Sequence, residues 1–548
     1  MFKTLLILSV PDGTTLPLVP AQNNFKPTLS KVQKVPKPST YKTKCVLIPE
    51  NLDILLLLAK NPPEVKQCNN NIYTQGEKCA VIVSLIMSAY MRAENAQRIS
   101  YKGFANVSAK ILEDHVKDYK EYIKFLMDNG IIVSNNHYIP NEKSTGYMLT
   151  PEYIDAPLKE YVIFNHHGNS KLGAAVYNKV FIPTPEQKLT MEKHPELYQD
   201  LLSVTVDDID QAKEYIYKGL YDTSLSSVLE KIRSKRNRTL THYNKLEDDD
   251  KHNFIHPYMI RKQNDWYRSL HDLKQRRVYF KRDNTSYRLH TSLLGLKSEC
   301  RHFLKLQGGN IISCDIKNSQ PYISAFFFTP GILDQNLMKI LNNCFSDIKN
   351  NDEYLFKDIM KRIRYYKKGN ILPSTRKYIN LVQSGEIYEY IAINKGDFHS
   401  IIKNKNIYYN RKHGKKCVFK LFFNPPKYDT LVRDFFRLHF PQVASLFEDI
   451  NRLFTHTRRE SELKGIPRSK NTLAITLQTI ESYLMLDVIC RDMKDKYPDI
   501  PLLTIHDAIA TNPEYKDLLL EELNSTLTYY IGIPPSIKVE DWSIPALD

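Results

Sequence analysis

In the stretch PLLTIHDAIATNPEY (501–515), a histidine and an aspartate interrupt an otherwise apolar run. Leu502, Leu503, Thr504, Ile505 and Ile509 have the composition of a buried strand pair. His506 and Asp507 sit between them. An ionised carboxylate inside apolar surroundings is costly unless it finds a partner. The chain must therefore fold so that Asp507 reaches a cation or a hydrogen-bond donor. The pattern predicts a strand, or a hairpin, that ends in Asp507.

A second segment has the same design. GGNIISCDIKNSQPYISAFFF (308–328) reads as a short strand from Ile311 to Ile316 with Asp315 near its end, then a polar loop and an apolar helix. Two such carboxylates converging on divalent cations would remove both burial costs. Aspartate oxygens suit Mg2+, which usually bridges one or two carboxylates to substrate phosphates. Two ions held this way stabilise the attacking and leaving oxygens of phosphoryl transfer. On spacing alone, two aspartates capping strand ends account for the same pattern. A third segment, RKHGKKCVFKLFFN (411–424), places Arg411, Lys415, Phe419 and Phe423 at steps of four, along one slowly drifting helical stripe. Cations mixed with aromatics suit a nucleoside triphosphate, with the cations on the phosphates and the rings against sugar and base.

These segments, in this order, resemble motifs A, B and C of the family A DNA polymerases and their relatives, the phage-type single-subunit RNA polymerases. SCDIKNSQP is similar to motif A, RKHGKKCVFKLFF to motif B and TIHDA to motif C. YRLHTSLLGLKSECRHFL (287–304) is similar to the segment before motif A, LAITLQTIESYLMLDVI (473–489) to the helix before motif C, and FPQVASLFEDINRL (440–453) to the helix after the fingers. The resemblance covers 286–548. It implies an α+β right-hand polymerase with palm, fingers and thumb. It also implies two Mg2+ ions, or Mn2+ in their place, held by Asp315, Asp507 and the main-chain carbonyl of Ile316. Lys415 and Arg411 would neutralise the triphosphate, with Lys415 protonating the leaving group. Phe419, Phe423 and Gln320 would surround the nucleotide. Arg288, Gln478 and His506 would hold the primer and template.

The chain departs from the family pattern at three places. Phe423-Asn424 stand where Tyr-Gly is usual. Ala508 follows Asp507 where Glu or Ser is usual. Gln320 occupies the position of the glutamate that excludes ribose in DNA enzymes. A bulky Gln320 packed with Phe423 would act as a steric gate, which favours a DNA polymerase using dNTPs on a DNA template-primer. A phage-type RNA polymerase or primase using rNTPs, with RNA as product, is the alternative reading. A non-catalytic DNA-binding replication protein with a degenerate palm is another, and a template-independent transferase a third. The N-terminal half shows no exonuclease carboxylate set, so no proofreading is expected.

The rest of the chain frames these expectations. A formal net charge of +16 calls for a polyanionic partner, nucleic acid first, although an AT-rich coding bias toward lysine gives the same excess. The eight cysteines show no C-x-x-C pair, which fits a reducing, cytoplasmic setting and neither a zinc ribbon nor a disulfide framework. The run LLILSV is too short to span a membrane, no other segment approaches about 20 apolar residues, and no membrane partner is expected. Residues 1–45 read as a flexible basic tail rich in Pro, Thr, Asn and Lys. Over 46–170, helices with Val116, Tyr119, Ile123, Leu126 and Met127 on one face, a Gly130 cap and short strands suggest a winged-helix-like domain. Residues 171–285 read as a helical, thumb-like region with basic clusters RSKRNR (233–238) and LKQRRVYFKR (273–282), and EDDD (247–250) as a solvated loop. KRIRYYKKGN (361–370) interleaves cations with tyrosines, as single-strand binding surfaces do and as a solvated fingers helix also would.

Overall fold

The computed structural model describes Lys44 to Ser543, apart from 64–70, 96–103, 137–143, 164–182, most of 221–246, 395–410 and a few single positions between 429 and 468. The N-terminal tail as far as residue 43 and the RSKRNR cluster lie outside these residues. Helices packed around antiparallel sheets make the architecture α+β.

The first strand, β1 (Lys44–Pro49), pairs antiparallel with β5 (Leu158–Ile163). Between them run α1 (Ile72–Asn95), β2 (Ala105–Asn106), α2 (Ala109–His115), α3 (Tyr119–Asp128), β3 (Ile132–Ser134) and β4 (Gly146–Leu149). The last three strands form one sheet in the order β2-β4-β3. Val116, Tyr119, Ile123 and Leu126 are buried together as their spacing requires, and Gly130 takes φ +70° just beyond α3. Only glycine adopts that angle without strain, which is why the helix stops there.

The acidic run at 247–250 is not a loop: it opens α4 (Asp248–Lys274). Trp266, Tyr267, Leu270 and Leu273 bury one face of this helix. Asn264 donates to the carbonyl of Ala156 at 2.9 Å and Arg261 pairs with Asp155 at 2.5 Å, locking α4 to the N-terminal elements.

The C-terminal half is built on a four-stranded sheet. Its strands are β6 (Ile312–Ile316), β7 (Leu503–Ile505), β8 (Ala508–Thr511) and β9 (Ile537–Asp541), in the order β7-β8-β6-β9 and antiparallel throughout. β8 is buried along its whole length, and Cys314 and Ile316 of β6 are buried too. Apolar strands with no polar face need cover on both sides. Helices supply it. α5 (Ser319–Ser324) leaves β6. α6 (Glu353–Lys367), α7 (Pro373–Ser384), α8 (Ile387–Asn394) and α9 (Arg411–Phe423) follow, then α10 (Thr472–Ser482). α10 continues through a π-helical stretch, Tyr483–Cys490, to Lys496. Thr472–Lys496 is long and apolar enough to cross a membrane, contrary to the sequence expectation. Its most apolar window is nevertheless 78% buried inside the protein, as a core helix would be.

One glycine fixes how α9 meets α8. A Cβ on Gly414 would lie 1.9 Å from the carbonyl oxygen of Tyr388. The two helices touch backbone to backbone there, and this contact sets the height of Arg411 and Lys415, one turn apart on α9. Gly414→Val is expected to force the helices apart and destabilise the protein by about 1–3 kcal/mol or more. Thermal unfolding should show a fall in Tm of several degrees. An unchanged Tm would mean that the helices do not meet this way.

Candidate active site

The register of the sheet brings the two aspartates together. Asp315 lies opposite Ala508, so Asp507, at the turn before β8, sits beside the end of β6. The amide of Ile316 donates to the carbonyl of Asp507 at 3.4 Å, across that junction. The turn itself is two residues long, His506 and Asp507, joining Ile505 to Ala508. His506 takes φ +54°, an angle that costs a non-glycine residue of order 1 kcal/mol and tends to persist where function over-determines the backbone.

An open cleft of about 660 Å3 lies over this junction. Asp315, Ile316 and Asp507 from the sheet, Gln320 from α5, and Arg411, Lys415 and Phe419 from α9 all line it. Seven of the residues singled out in the sequence therefore line one cleft. Arg411 is braced from three sides. It donates to Glu389 at 2.8 Å and to Oδ1 of Asn318 at 3.4 Å, and its guanidinium lies 5.1 Å from the centre of the Tyr388 ring. Lys415 is exposed, with Nζ 5.4 Å from the centre of the Phe419 ring.

Phe423 and Gln478 take other places. Phe423 packs edge-on against Phe419 at 5.5 Å and does not line the cleft. Gln478 is half-buried on α10, one turn before Glu481. Arg288 and His506 do not line the cleft: His506 is the residue before Asp507 in the turn, and the positive charge of Arg288 acts on both.

Glu481 is the residue that sequence reasoning does not single out. It is only 1% exposed. One of its oxygens accepts from Gln320 Nε2 at 2.8 Å and from the hydroxyl of Ser319; the other pairs with Arg288. Arg288 is held in turn by its own amide, which donates to Asp283 at 3.1 Å. The signal was present in LAITLQTIESYLML: a lone carboxylate inside an apolar helix must have a buried partner. What the sequence could not show was which partner. Glu481→Ala would leave the half-buried Arg288 and the buried amide of Gln320 without their acceptor and is expected to cost about 1–3 kcal/mol. Chemical denaturation is the check, and a loss below about 1 kcal/mol would contradict the buried pairing.

Like charges crowd the floor. Burial raises the carboxyl of Asp315 above its usual range, with Lys538, Lys415 and Arg301 drawing it back. Asp507 is pushed up to about 7, by burial first and then by Glu481 and Asp315. His506 is lowered to about 4, by burial and then by the positive charges of Arg288 and His290. Among the described residues, no group of three or more His, Cys, Asp or Glu side chains has the geometry of a metal cage. The donors present are two aspartate carboxylates at an open cleft, with Ile316 beside them on its lining. Hard oxygen donors of this number fit Mg2+, which keeps several waters and takes further oxygens from substrate phosphates.

No family model matches the chain and no curated protein matches it. Among solved structures, the chain is similar to the polymerase domain of Pol1 from M. smegmatis in complex with DNA primer-template and dNTP. That match has 12% identity and a TM-score of 0.29, over 66% of this chain and 70% of that one. A score that low carries no weight beside the site itself.

The raised Asp507 sets a pH dependence. A carboxyl protonated more readily in the folded state contributes stability below its unfolded value, near 4, and that contribution is lost as pH rises toward about 7. In metal-free protein, Asp507→Asn is therefore expected to raise Tm at pH 8 by several degrees relative to wild type and to leave it nearly unchanged at pH 4. Melting curves across that range measure the difference. A variant less stable at pH 8 than at pH 4, relative to wild type, would reverse the sign.

Proposed function

We propose that this protein is a template-directed nucleotidyltransferase of the right-hand polymerase type, extending a primer with nucleoside triphosphates. The sheet β7-β8-β6-β9 serves as the palm and α6 to α9 as the fingers. The single observation that carries this reading is the juxtaposition of Asp315, on β6, and Asp507, in the turn before the neighbouring β8, with Arg411 and Lys415 lining the same cleft. Two acidic oxygens facing two cations suit a substrate whose reacting phosphate must be held between a nucleophile and a polyanionic leaving group.

In this reading the residues divide the work. Asp315, Asp507 and the Ile316 carbonyl would hold Mg2+, which when bound neutralises charge on the attacking and leaving oxygens. Arg411, braced by Glu389, Asn318 and Tyr388, clamps the triphosphate. Lys415 lies exposed on the cleft wall, in place to neutralise the leaving pyrophosphate and to give it a proton. Phe419 offers a ring against the base or sugar. Gln320 stands beside the sugar, its amide nitrogen turned toward Glu481. Arg288 and His506 hold the primer terminus by donating hydrogen bonds. His506, with its pKa depressed, is neutral at physiological pH and acts as a hydrogen-bonding group rather than a cation. The short, rigid turn at 506–507 explains why these two residues interrupt an apolar hairpin: the strands fix them and the turn presents them. A DNA polymerase without proofreading, acting on DNA template-primer with dNTPs, is the favoured form of this activity, with Gln320 as the gate against ribose.

Primer extension tests it. With Mg2+, a primed template and each nucleotide set, wild type is expected to incorporate dNTPs in preference to rNTPs. Asp315→Asn and Asp507→Asn should each lower the rate by about a thousandfold. Incorporation by both variants at the wild-type rate would end the assignment, as would no incorporation by wild type under any condition.

A further inference from the structure

The outer face of α6 has no role in the cleft, and its residues are unusual. Tyr354, Lys357, Lys361, Arg364, Tyr365 and Lys368 are all exposed. Tyr354 is 84% exposed and Tyr365 55%. At about 100° per residue the five that lie within the helix fall within roughly 100° of one another, and Lys368 follows as its C-cap. The opposite side is apolar and buried, with Leu355, Ile359, Met360, Ile363 and Tyr366 in the core. The stripe is therefore set by the fold.

Its charges are available. Lys357 pairs with Glu353 at 2.9 Å, and Asp358, at the edge, pairs with Arg362 at 2.8 Å. Among the described residues Lys361, Arg364 and Lys368 make no ion pair. The Tyr354 ring projects into water, and the Tyr365 ring, which meets Tyr366 edge-on at 6.1 Å, leaves more than half of its residue exposed. Large aromatics exposed this fully, flanked by unpaired cations, match what a single strand of nucleic acid offers: phosphates for the cations and unstacked bases for the rings. A protein partner or a membrane surface would call for a contiguous apolar patch, which this face lacks.

The helix is also firmly seated. Lys367, on its inner side, donates to the carbonyls of Phe326 and Thr329 at 2.9 and 3.1 Å, in the segment that follows α5. At its C-terminal end the chain turns through Gly369 into α7, whose last residue, Ser384, lines the cleft together with Gly385 and Glu386. A strand lying on α6 would thus rest on an element continuous with the wall of the cleft.

We propose that the Tyr354–Lys368 face of α6 is a binding surface for single-stranded nucleic acid, with Lys361, Arg364 and Lys368 on the backbone and Tyr354 and Tyr365 stacking on bases. The site is independent of the chemistry at Asp315 and Asp507, and its test needs neither nucleotide nor metal.

The probe is a fluorescein-labelled oligo-dT, with a duplex of the same length for comparison, titrated with the full chain and followed by anisotropy across a range of salt. Lys361→Glu with Arg364→Glu is expected to weaken oligo-dT binding by about tenfold or more and to reduce the salt dependence by about two phosphate contacts. Tyr354→Ala with Tyr365→Ala is expected to weaken oligo-dT binding by about tenfold with the salt dependence unchanged. That tyrosine variant should bind the duplex as wild type does, because paired bases cannot stack on it. All four substituted side chains are exposed, and an unchanged melting temperature confirms that the variants fold. Oligo-dT binding by both double variants at wild-type affinity would overturn the proposal. So would a tyrosine variant that loses duplex and single strand equally.

Discussion

Everything at the site depends on one strand pairing. β6 and β8 run antiparallel with Asp315 opposite Ala508, and that register alone sets Asp315 beside Asp507. A slip of one residue would turn every side chain of β8 to the other face. Such a slip is resisted because all four residues of β8 are buried, and because β9 pairs with the far edge of β6 and places Lys538 opposite Asp315. Burial of the apolar strands thus provides the free energy that holds two carboxylates, far apart in the chain, in the same small volume.

That proximity is unfavourable in itself. Burial raises both carboxyls, with Glu540 adding to it at Asp315 and with Glu481 and Asp315 adding to it at Asp507. Natural folds keep such arrangements where a cation or a reaction uses them. Here the surrounding groups answer the charge in layers. Arg288 pairs with Glu481 behind the floor, Lys538 stands on the next strand, and Arg411 and Lys415 face the carboxylates from α9. The position of α9 rests in turn on the bare backbone contact at Gly414. A hydrogen-bonded chain runs from Arg288 through Glu481 to Gln320, so the residue expected beside the primer and the residue expected beside the sugar share a single buried carboxylate.

Much of this was legible in the sequence, for physical reasons that differ from residue to residue. Asp315 and Asp507 stood out because each breaks a short β-prone run, and a break of that kind needs compensation. The Arg411, Lys415, Phe419 stripe was visible because helical spacing is a local property. Glu481 is not legible because it lies in a helix whose periodicity is almost wholly apolar, where its meaning comes entirely from Ser319, Gln320 and Arg288 across the fold. The acidic residues at 247–250 looked like a loop because propensity within four residues says nothing of the long helix that follows. The apolar length of Thr472–Lys496 was masked by its scattered threonines, Gln478 and Glu481, whose partners are again tertiary. Phe423 followed the stripe in sequence but packs onto Phe419 behind the wall, because a period of four drifts around a helix of 3.6 residues per turn.

The central claim is that Asp315 and Asp507 form one cation-binding centre. Crystals of the protein soaked with Mn2+ and a non-hydrolysable nucleoside triphosphate, examined by anomalous diffraction, test this most directly. The account predicts a manganese peak within coordination distance of a carboxylate oxygen from each aspartate, with the triphosphate reaching toward Arg411 and Lys415, and its loss in Asp507→Asn. Manganese bound elsewhere, or retained between the strands after both aspartates are replaced by asparagine, would contradict it.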